Sequence, residues 1–340
     1  MTLTIDDPFV VARTPLRLPL AGGGTDLPFY AETHGGDLLS AAITPQVTVV
    51  ARGGRVDGRS RFSHDSTIFT EPGAEAADPY VREALRMVGG SGELEIASFG
   101  PVPAGSGLGS SGAFAVSLLG ALHALRGARR DPRTLAEEAC LLEMERLGRP
   151  VGKHDQYVCG LGGVRRLLIQ HSGEVLVPEA AVSEDTLRRL EQRLLLVFTG
   201  TTRDSTAHLA VGRAERDLHR RIDRLHRIKE IGGRILASLQ AGDLDGFATL
   251  LHEHWTAKRE GGSQGAWDGF YADARGRGVR AGKLVGAGGG GFLLLFLEPG
   301  QRAPVLELVA RRGLRTLPFA FTATGTRVTA FDDHGERSRG

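Results

Sequence analysis

One stretch of this sequence, PVPAGSGLGSSGAF at residues 101 to 114, has a composition suited to handling phosphate. Its glycines let backbone N–H groups turn inwards on an anion, and the apolar run that follows would deliver that anion to a helix N-terminus. Ser110 and Ser111 add hydroxyls for phosphate oxygens or a divalent cation. A Walker A loop is excluded, because it needs a lysine and none occurs between residues 1 and 152. A dinucleotide-binding turn is excluded as well, since Gly105, Gly107 and Gly109 lack the Gly-x-Gly-x-x-Gly spacing. The plainer alternative is a tight strand-to-helix turn with ordinary capping serines.

Three further stretches could carry chemistry. In RTPLRLPLAGGGTDLPFY (13 to 30), three glycines allow close backbone approach to a polar ligand, and Asp26 can accept hydrogen bonds from hydroxyls. Taken alone, its Thr-Asp pair reads equally as a helix cap. EMERLGRPVGKHDQYVCGLGG (143 to 163) sets Asp155 beside Lys153 and His154. Such a carboxylate, kept ionised by nearby positive charge, could serve as a general base, and a titrating histidine beside it would shape the pH profile. The bland alternative is a solvated surface loop. In KLVGAGGGGFLLLF (283 to 296), Gly286, Gly288 and Gly291 do satisfy the dinucleotide spacing, but a strand-like run follows where that motif demands a helix. This loop instead suits close packing against another backbone or a substrate.

The elements that would position these residues are interleaved without a regular strand–helix rhythm, so the chain reads as α+β. Residues 8 to 20 carry Pro15 and Pro19 and predict short edge strands. Residues 38 to 52 and 93 to 100 predict strands, the second feeding the 101 to 114 motif. A buried helix should follow that motif and stop at Gly127, and a second should run from Asp131 and Pro132 to Gly148. A hairpin, then a polar helix and a short apolar strand, precede long helices over 206 to 239 and 243 to 260. A helix at 301 to 312 and strands near 316 to 330 are expected to close a second domain. The expected division is 1–185 and 186–332, with a disordered tail at 333–340.

The 340 residues carry a formal net charge of +2, which gives no electrostatic footprint for nucleic acid or an acidic membrane. No segment is apolar enough to predict a membrane span, and the N-terminus lacks the pattern of a signal peptide. Two cysteines, Cys140 and Cys159, are too few for a disulfide framework and fit a reducing cytoplasm.

In this order, the four stretches resemble the galactokinase, homoserine kinase, mevalonate kinase and phosphomevalonate kinase (GHMP) superfamily. PLRLPLAGGGTDLPFY together with GKHDQYVCGLGGV resembles its D-glycero-D-manno-heptose 7-phosphate kinases in particular. The resemblance runs from about residue 12 to 330 and includes FTGTTRDSTAH and HWTAKRE. It implies a two-domain fold, an N-terminal domain like ribosomal protein S5 domain 2 and a ferredoxin-like C-terminal domain, with ATP and a sugar in the cleft between them. It implies ATP phosphates on Pro103, Ala104, Gly105, Ser106, Gly107, Leu108, Gly109, Ser110 and Ser111, and Mg²⁺ on Ser111 and Glu143. By position, Asp155 matches the catalytic aspartate, Arg17 an arginine near the transferring phosphate, and Asp26 a sugar-binding aspartate. Gly23, Gly24, Thr25, Lys153, His154, Gly288 and Gly289 would complete the sugar site. Arg203, Lys258 and Lys283 are nominated as a cationic pocket for a phosphate at the sugar's far end. His154 stands where the heptose kinases usually have glutamine. The activity implied is phosphorylation of the anomeric hydroxyl of a heptose 7-phosphate. The alternatives are another sugar-1-kinase, L-fucokinase-like or galactokinase-like, and a non-catalytic sugar or nucleotide sensor.

Overall fold

The computed structural model describes residues 9–53, 57–64, 66–89, 93–201, 215–260, 267–286, 290–332 and 335–336. Strand β1 (Phe9–Ala21) leads through the glycine loop at Gly22 to helix α1 (Pro28–His34) and the long strand β2 (Gly36–Gly53). A small hairpin, β3 (Ser60–Ser63) and β4 (Thr67–Thr70), precedes α2 (Pro79–Val88). Asp78 caps α2 by accepting from the Val81 N–H, and Pro79 occupies the first turn, where no intrahelical donor is needed. Strand β5 (Leu94–Phe99) then delivers the chain to the 101 to 109 loop and α3 (Ser110–Leu125). Helix α3 is apolar on every face because it is enclosed: Gly112, Ala113 and every residue from Ala115 to His123 are buried.

Helix α4 (Pro132–Cys140) starts on an Asp131 cap and passes directly into a π-helical turn, Leu141–Arg146. Helix α5 (His154–Leu161), strands β6 (Val164–Ile169) and β7 (Val175–Leu176), helix α6 (Glu184–Arg193) and strand β8 (Leu194–Phe198) follow. The remaining elements are α7 (Glu215–Gln240), α8 (Leu244–Arg259), α9 (Asp268–Arg275), β9 (Val279–Leu284), β10 (Phe292–Leu297), α10 (Arg302–Arg311), β11 (Arg315–Leu317), β12 (Arg327–Asp332) and β13 (Gly335–Glu336).

Two sheets organise these elements. The larger runs β13-β12-β1-β2-β5-β3-β4, with β6 and β7 joined to it through β2, and the smaller runs β11-β8-β10-β9. One expectation is corrected here. The last long strand does not close the second sheet, because β12 returns to the first and pairs antiparallel with β1 from Phe9↔Phe331 to Arg13↔Arg327. The opening residues are therefore one interior strand over Phe9–Arg13. Beyond Arg13, β1 pairs with β2 alone, and its ladder with β2 slips beside Pro15 and Pro19. Proline, which cannot donate, is tolerated at such irregular, one-sided positions.

The freed side of β1 is what receives the phosphate loop: the Arg17 N–H donates to the Leu108 carbonyl at 3.0 Å. Leu16, Leu18 and Leu20 of β1 share one apolar cluster with Leu108, with Leu196 of β8 and with Phe292, Leu294 and Phe296 of β10. Burial of these side chains, worth about 1.5–3 kcal/mol each, holds the two sheets together and brings their glycine loops face to face.

Candidate active site

Arg17 and Asp155 form the centre of the site. The Arg17 guanidinium donates to Asp155 Oδ1 from Nε at 2.9 Å and from Nη2 at 2.6 Å, and Nη1 donates to the Gly107 carbonyl. Arg17 is buried, whereas the Asp155 side chain keeps 29% exposure, so the carboxylate remains reachable from the cleft. Burial would raise the Asp155 pKa, but the positive charge and the hydrogen bonds of Arg17 outweigh it and hold the carboxyl below its ordinary value. Asp155 is thus ionised at neutral pH. It sits in the first turn of α5, which packs so tightly on α3 that a Cβ on Gly112 would stand 2.8 Å from the Asp155 Cβ.

The phosphate loop is clasped by the second glycine loop. Gly107 has φ +85°, and a Cβ there would stand 2.6 Å from the Val285 carbonyl oxygen. A Cβ on Gly286 would in turn meet the Gly107 Cα at 2.5 Å. Gly109 has φ +76° and caps the start of α3, with the Arg17 Cγ 2.9 Å from the position of a Cβ. Only glycine permits this backbone-on-backbone contact together with the left-handed turn that aims the loop at a helix N-terminus. Ser106 is fully buried and its hydroxyl has no partner among the described residues. Gly288 and Gly289 lie outside the described residues, as does Arg203.

Glu143 is positioned by the π-helical turn, a local widening that redirects one side chain inward. It is 1% exposed and accepts from Tyr80 Oη at 2.8 Å and from Gln156 Nε2 at 2.5 Å. Burial raises its pKa against hydrogen bonds from Tyr80, Gln156 and Ser111. Every donor to this carboxylate is neutral, and Gln156 Oε1 beside it is buried with no partner. A hard divalent cation, which takes oxygen ligands and shares them with substrate phosphates, fits this surplus of oxygen acceptors. Among the described residues no cluster of three His, Cys, Asp or Glu forms a complete metal cage. That is compatible with Mg²⁺, which keeps waters and phosphate oxygens as ligands.

Asp26 lies in the glycine loop after β1 and is 8% exposed. Its Oδ2 accepts the His154 N–H at 3.2 Å. Burial, and next the negative charge of Asp155, push its pKa from 3.8 up to about 6, against opposing backbone hydrogen bonds and Arg17. Thr25 is fully buried and donates its hydroxyl to the Gly22 carbonyl at 2.8 Å, which fixes the loop. Gly23 has open space where a side chain would be, while Gly24 faces Leu225 of α7.

His154 differs from expectation. It is buried, its Nε2 is 2.5 Å from Ser40 Oγ, and its Nδ1 is 3.6 Å from Asp155 Oδ1. Burial, and then the charge of Arg17, lower its pKa to about 3. It is therefore a neutral positioning group, and it does not titrate beside the base near neutral pH. Lys153 donates to the Gly173 carbonyl at 2.5 Å and ties α5 to the β6–β7 turn. Lys283 is buried and donates to the Leu20 carbonyl at 2.7 Å; Lys258 donates to the carbonyls of Leu284 and Gly286. Burial lowers the pKa of both, that of Lys258 to about 8, and Arg17 adds to the effect. These lysines line the contact between the glycine loops, at the Arg17 end of the site. They are not the far-end pocket expected of them, because their ammonium groups are turned onto main-chain carbonyls. Tyr80, Gln156 and Ser40 carry no mark in the sequence that identifies them as supports; Gln156 alone adjoins a predicted residue.

The chain is similar to known proteins. The GHMP kinases N-terminal domain matches residues 76–163. The chain has the GHMP kinase fold and is a phosphotransferase with an alcohol group as acceptor. It is 26% identical over 341 residues to the D-glycero-alpha-D-manno-heptose 7-phosphate kinase of Campylobacter jejuni, covering 93% of this chain and 97% of that one. Among solved structures, a D-glycero-D-manno-heptose 1-phosphate kinase from Bacteroides thetaiotaomicron superposes with a TM-score of 0.79 at 24% identity, over 94% of this chain and 98% of that chain. The Lactococcus lactis galactokinase bound to galactose superposes with a TM-score of 0.71 at 18% identity, over 94% and 95%. No helix among the described residues is long and apolar enough to cross a membrane.

Proposed function

We propose that the protein transfers the γ-phosphate of ATP to the anomeric hydroxyl of a heptose 7-phosphate, giving a heptose 1,7-bisphosphate. The observation that carries this reading is the Arg17–Asp155 pair, an ionised carboxylate open to the cleft and locked to a cation that also grips the phosphate loop. The similarity to a heptose 7-phosphate kinase along nearly the whole chain supports the choice of sugar.

In this reading, the phosphates of ATP lie on the 103 to 111 loop, where inward N–H groups and the α3 N-terminus offset their charge. Asp26 and the Gly23–Thr25 backbone hold sugar hydroxyls. Asp155 accepts a hydrogen bond from the anomeric hydroxyl and orients its oxygen towards the γ-phosphorus. The new O–P bond forms as the bond to the β–γ bridging oxygen breaks; the hydroxyl proton passes to Asp155, and ADP leaves. Arg17 stabilises the charge on the transferring group. Phosphoryl transfer rests mainly on positioning and electrostatics, so a loop, one carboxylate and one cation suffice. Ser111 and Glu143, with Gln156 Oε1 nearby, would hold Mg²⁺, which when bound neutralises charge on the phosphates.

An ATP-consumption assay across a panel of sugars and sugar phosphates tests the assignment, with the product identified by phosphorus NMR. A marked preference for a heptose 7-phosphate and a new anomeric phosphate resonance are expected. Equal or better turnover of L-fucose or galactose would overturn the choice of substrate.

A further inference from the structure

A substrate that already carries a phosphate needs a cation beyond Arg17, and the nominated lysines are turned onto carbonyls at the transfer end. The other cations near the sugar loop are committed as well. Lys153 is bonded to Gly173, Arg166 is paired with Asp37 at 2.7 Å, and Lys229 donates to the carbonyls of His34 and Gly35. Arg221, on α7, has no such tie. It has no carboxylate partner among the described residues, and its guanidinium lies 4.1 Å from the centre of the Phe29 ring, in the segment that follows Asp26.

The helix face that carries Arg221 runs along this loop. One turn on, Leu225 Cδ2 stands 3.3 Å from the position of a Gly24 Cβ, and further on Gly232 backs onto the Gly22 N–H. Arg221 is thus held beside the sugar loop by packing of the residues that follow it on the helix. It is partly buried and lies near Arg224, and burial followed by that like charge lowers its pKa. A half-buried arginine with no carboxylate partner among the described residues favours an anion beside it, and the planar fork of arginine matches phosphate oxygens.

We infer that Arg221 reads the distal phosphate of the sugar substrate, so that this helix face supplies the specificity for a phosphorylated over an unphosphorylated sugar. The inference rests on the sugar-phosphate reading above. A phosphate beside Arg221 would lie against Phe29, three residues beyond Asp26 in the sugar loop.

Steady-state kinetics of the full chain with heptose 7-phosphate and with the unphosphorylated heptose test it. Arg221→Gln should raise KM for the phosphorylated sugar about 10- to 100-fold, the size of a lost charge-assisted contact. KM for ATP, and KM for the unphosphorylated sugar, should hold. Arg221→Lys should recover part of the loss, and inorganic phosphate should compete with the sugar phosphate in the wild type more strongly than in Arg221→Gln. A preference that survives Arg221→Gln, or a KM that rises equally for both sugars in both variants, overturns this inference alone. A wild type with no preference for the phosphorylated sugar overturns both this inference and the reading beneath it.

Discussion

Asp26 provides a test in which function and stability move in opposite directions. Its carboxyl is forced from an ordinary pKa of 3.8 to about 6, first by burial and then by the charge of Asp155. In the unfolded chain the group ionises near 3.8; in the folded protein it keeps its proton until about pH 6. Between those values the folded state binds more protons, so stability falls as the pH rises, and the loss is complete above pH 6. At about 1.36 kcal/mol per pKa unit, the ionised carboxylate costs on the order of 3 kcal/mol at pH 8 and nothing below pH 4. Asp26→Asn keeps an oxygen to accept the His154 N–H but removes the charge. Denaturant unfolding at pH 4, 6 and 8 should therefore show the variant level with the wild type at pH 4 and more stable by up to about 3 kcal/mol at pH 8. The same variant should bind sugar less well, with a KM raised about 10- to 100-fold and KM for ATP unchanged. In the wild type, kcat/KM for the sugar should fall about tenfold per pH unit below pH 6, as the carboxylate protonates. A stabilisation equal at pH 4 and pH 8, or none at either, would refute the reasoning.

Further outcomes follow from the same geometry. Asp155→Asn should lower kcat by a factor on the order of 10²–10⁴ while leaving the fold intact, and near-normal turnover would remove Asp155 as the base. Ser111→Ala should raise KM for Mg²⁺-ATP more than KM for the sugar, measured by varying each in turn; unchanged nucleotide kinetics would sink the metal role. Gly107→Ala, which puts a Cβ at φ +85° against the Val285 carbonyl, should lower the thermal midpoint and the affinity for ATP together. A variant as stable and as active as the wild type would show that the two glycine loops are not tightly packed.

Much of the site could be read from local chemistry. The 101 to 114 loop announces itself because its glycines and serines precede a long apolar helix, and that helix forms where its composition puts it. Asp131 with Pro132 marks the start of α4 by capping alone. Asp155 and Asp26 are visible as carboxylates set in glycine-rich or charged loops. Burial and pairing are different in kind. Lys153, His154 and Asp155 read either as a base flanked by positive charge or as a solvated loop, yet His154 is enclosed and neutral, with Ser40 of β2 brought against it across 114 residues. The same holds for Tyr80, which reaches Glu143 from 63 residues away.

The sequence by itself thus determined the local conformations: which glycines turn, where helices begin, and which side chains carry acid, base or hydroxyl groups. These follow from backbone sterics and side-chain chemistry, which act over a few residues. The tertiary structure alone decided the state of those groups. It locked Arg17 to Asp155, raised Asp26, silenced His154, turned Lys258 and Lys283 onto carbonyls and left Arg221 over Phe29 without a carboxylate among the described residues. It also returned β12 to the first sheet. Desolvation and charge pairing depend on neighbours distant in sequence, and those neighbours exist only once the two sheets have packed.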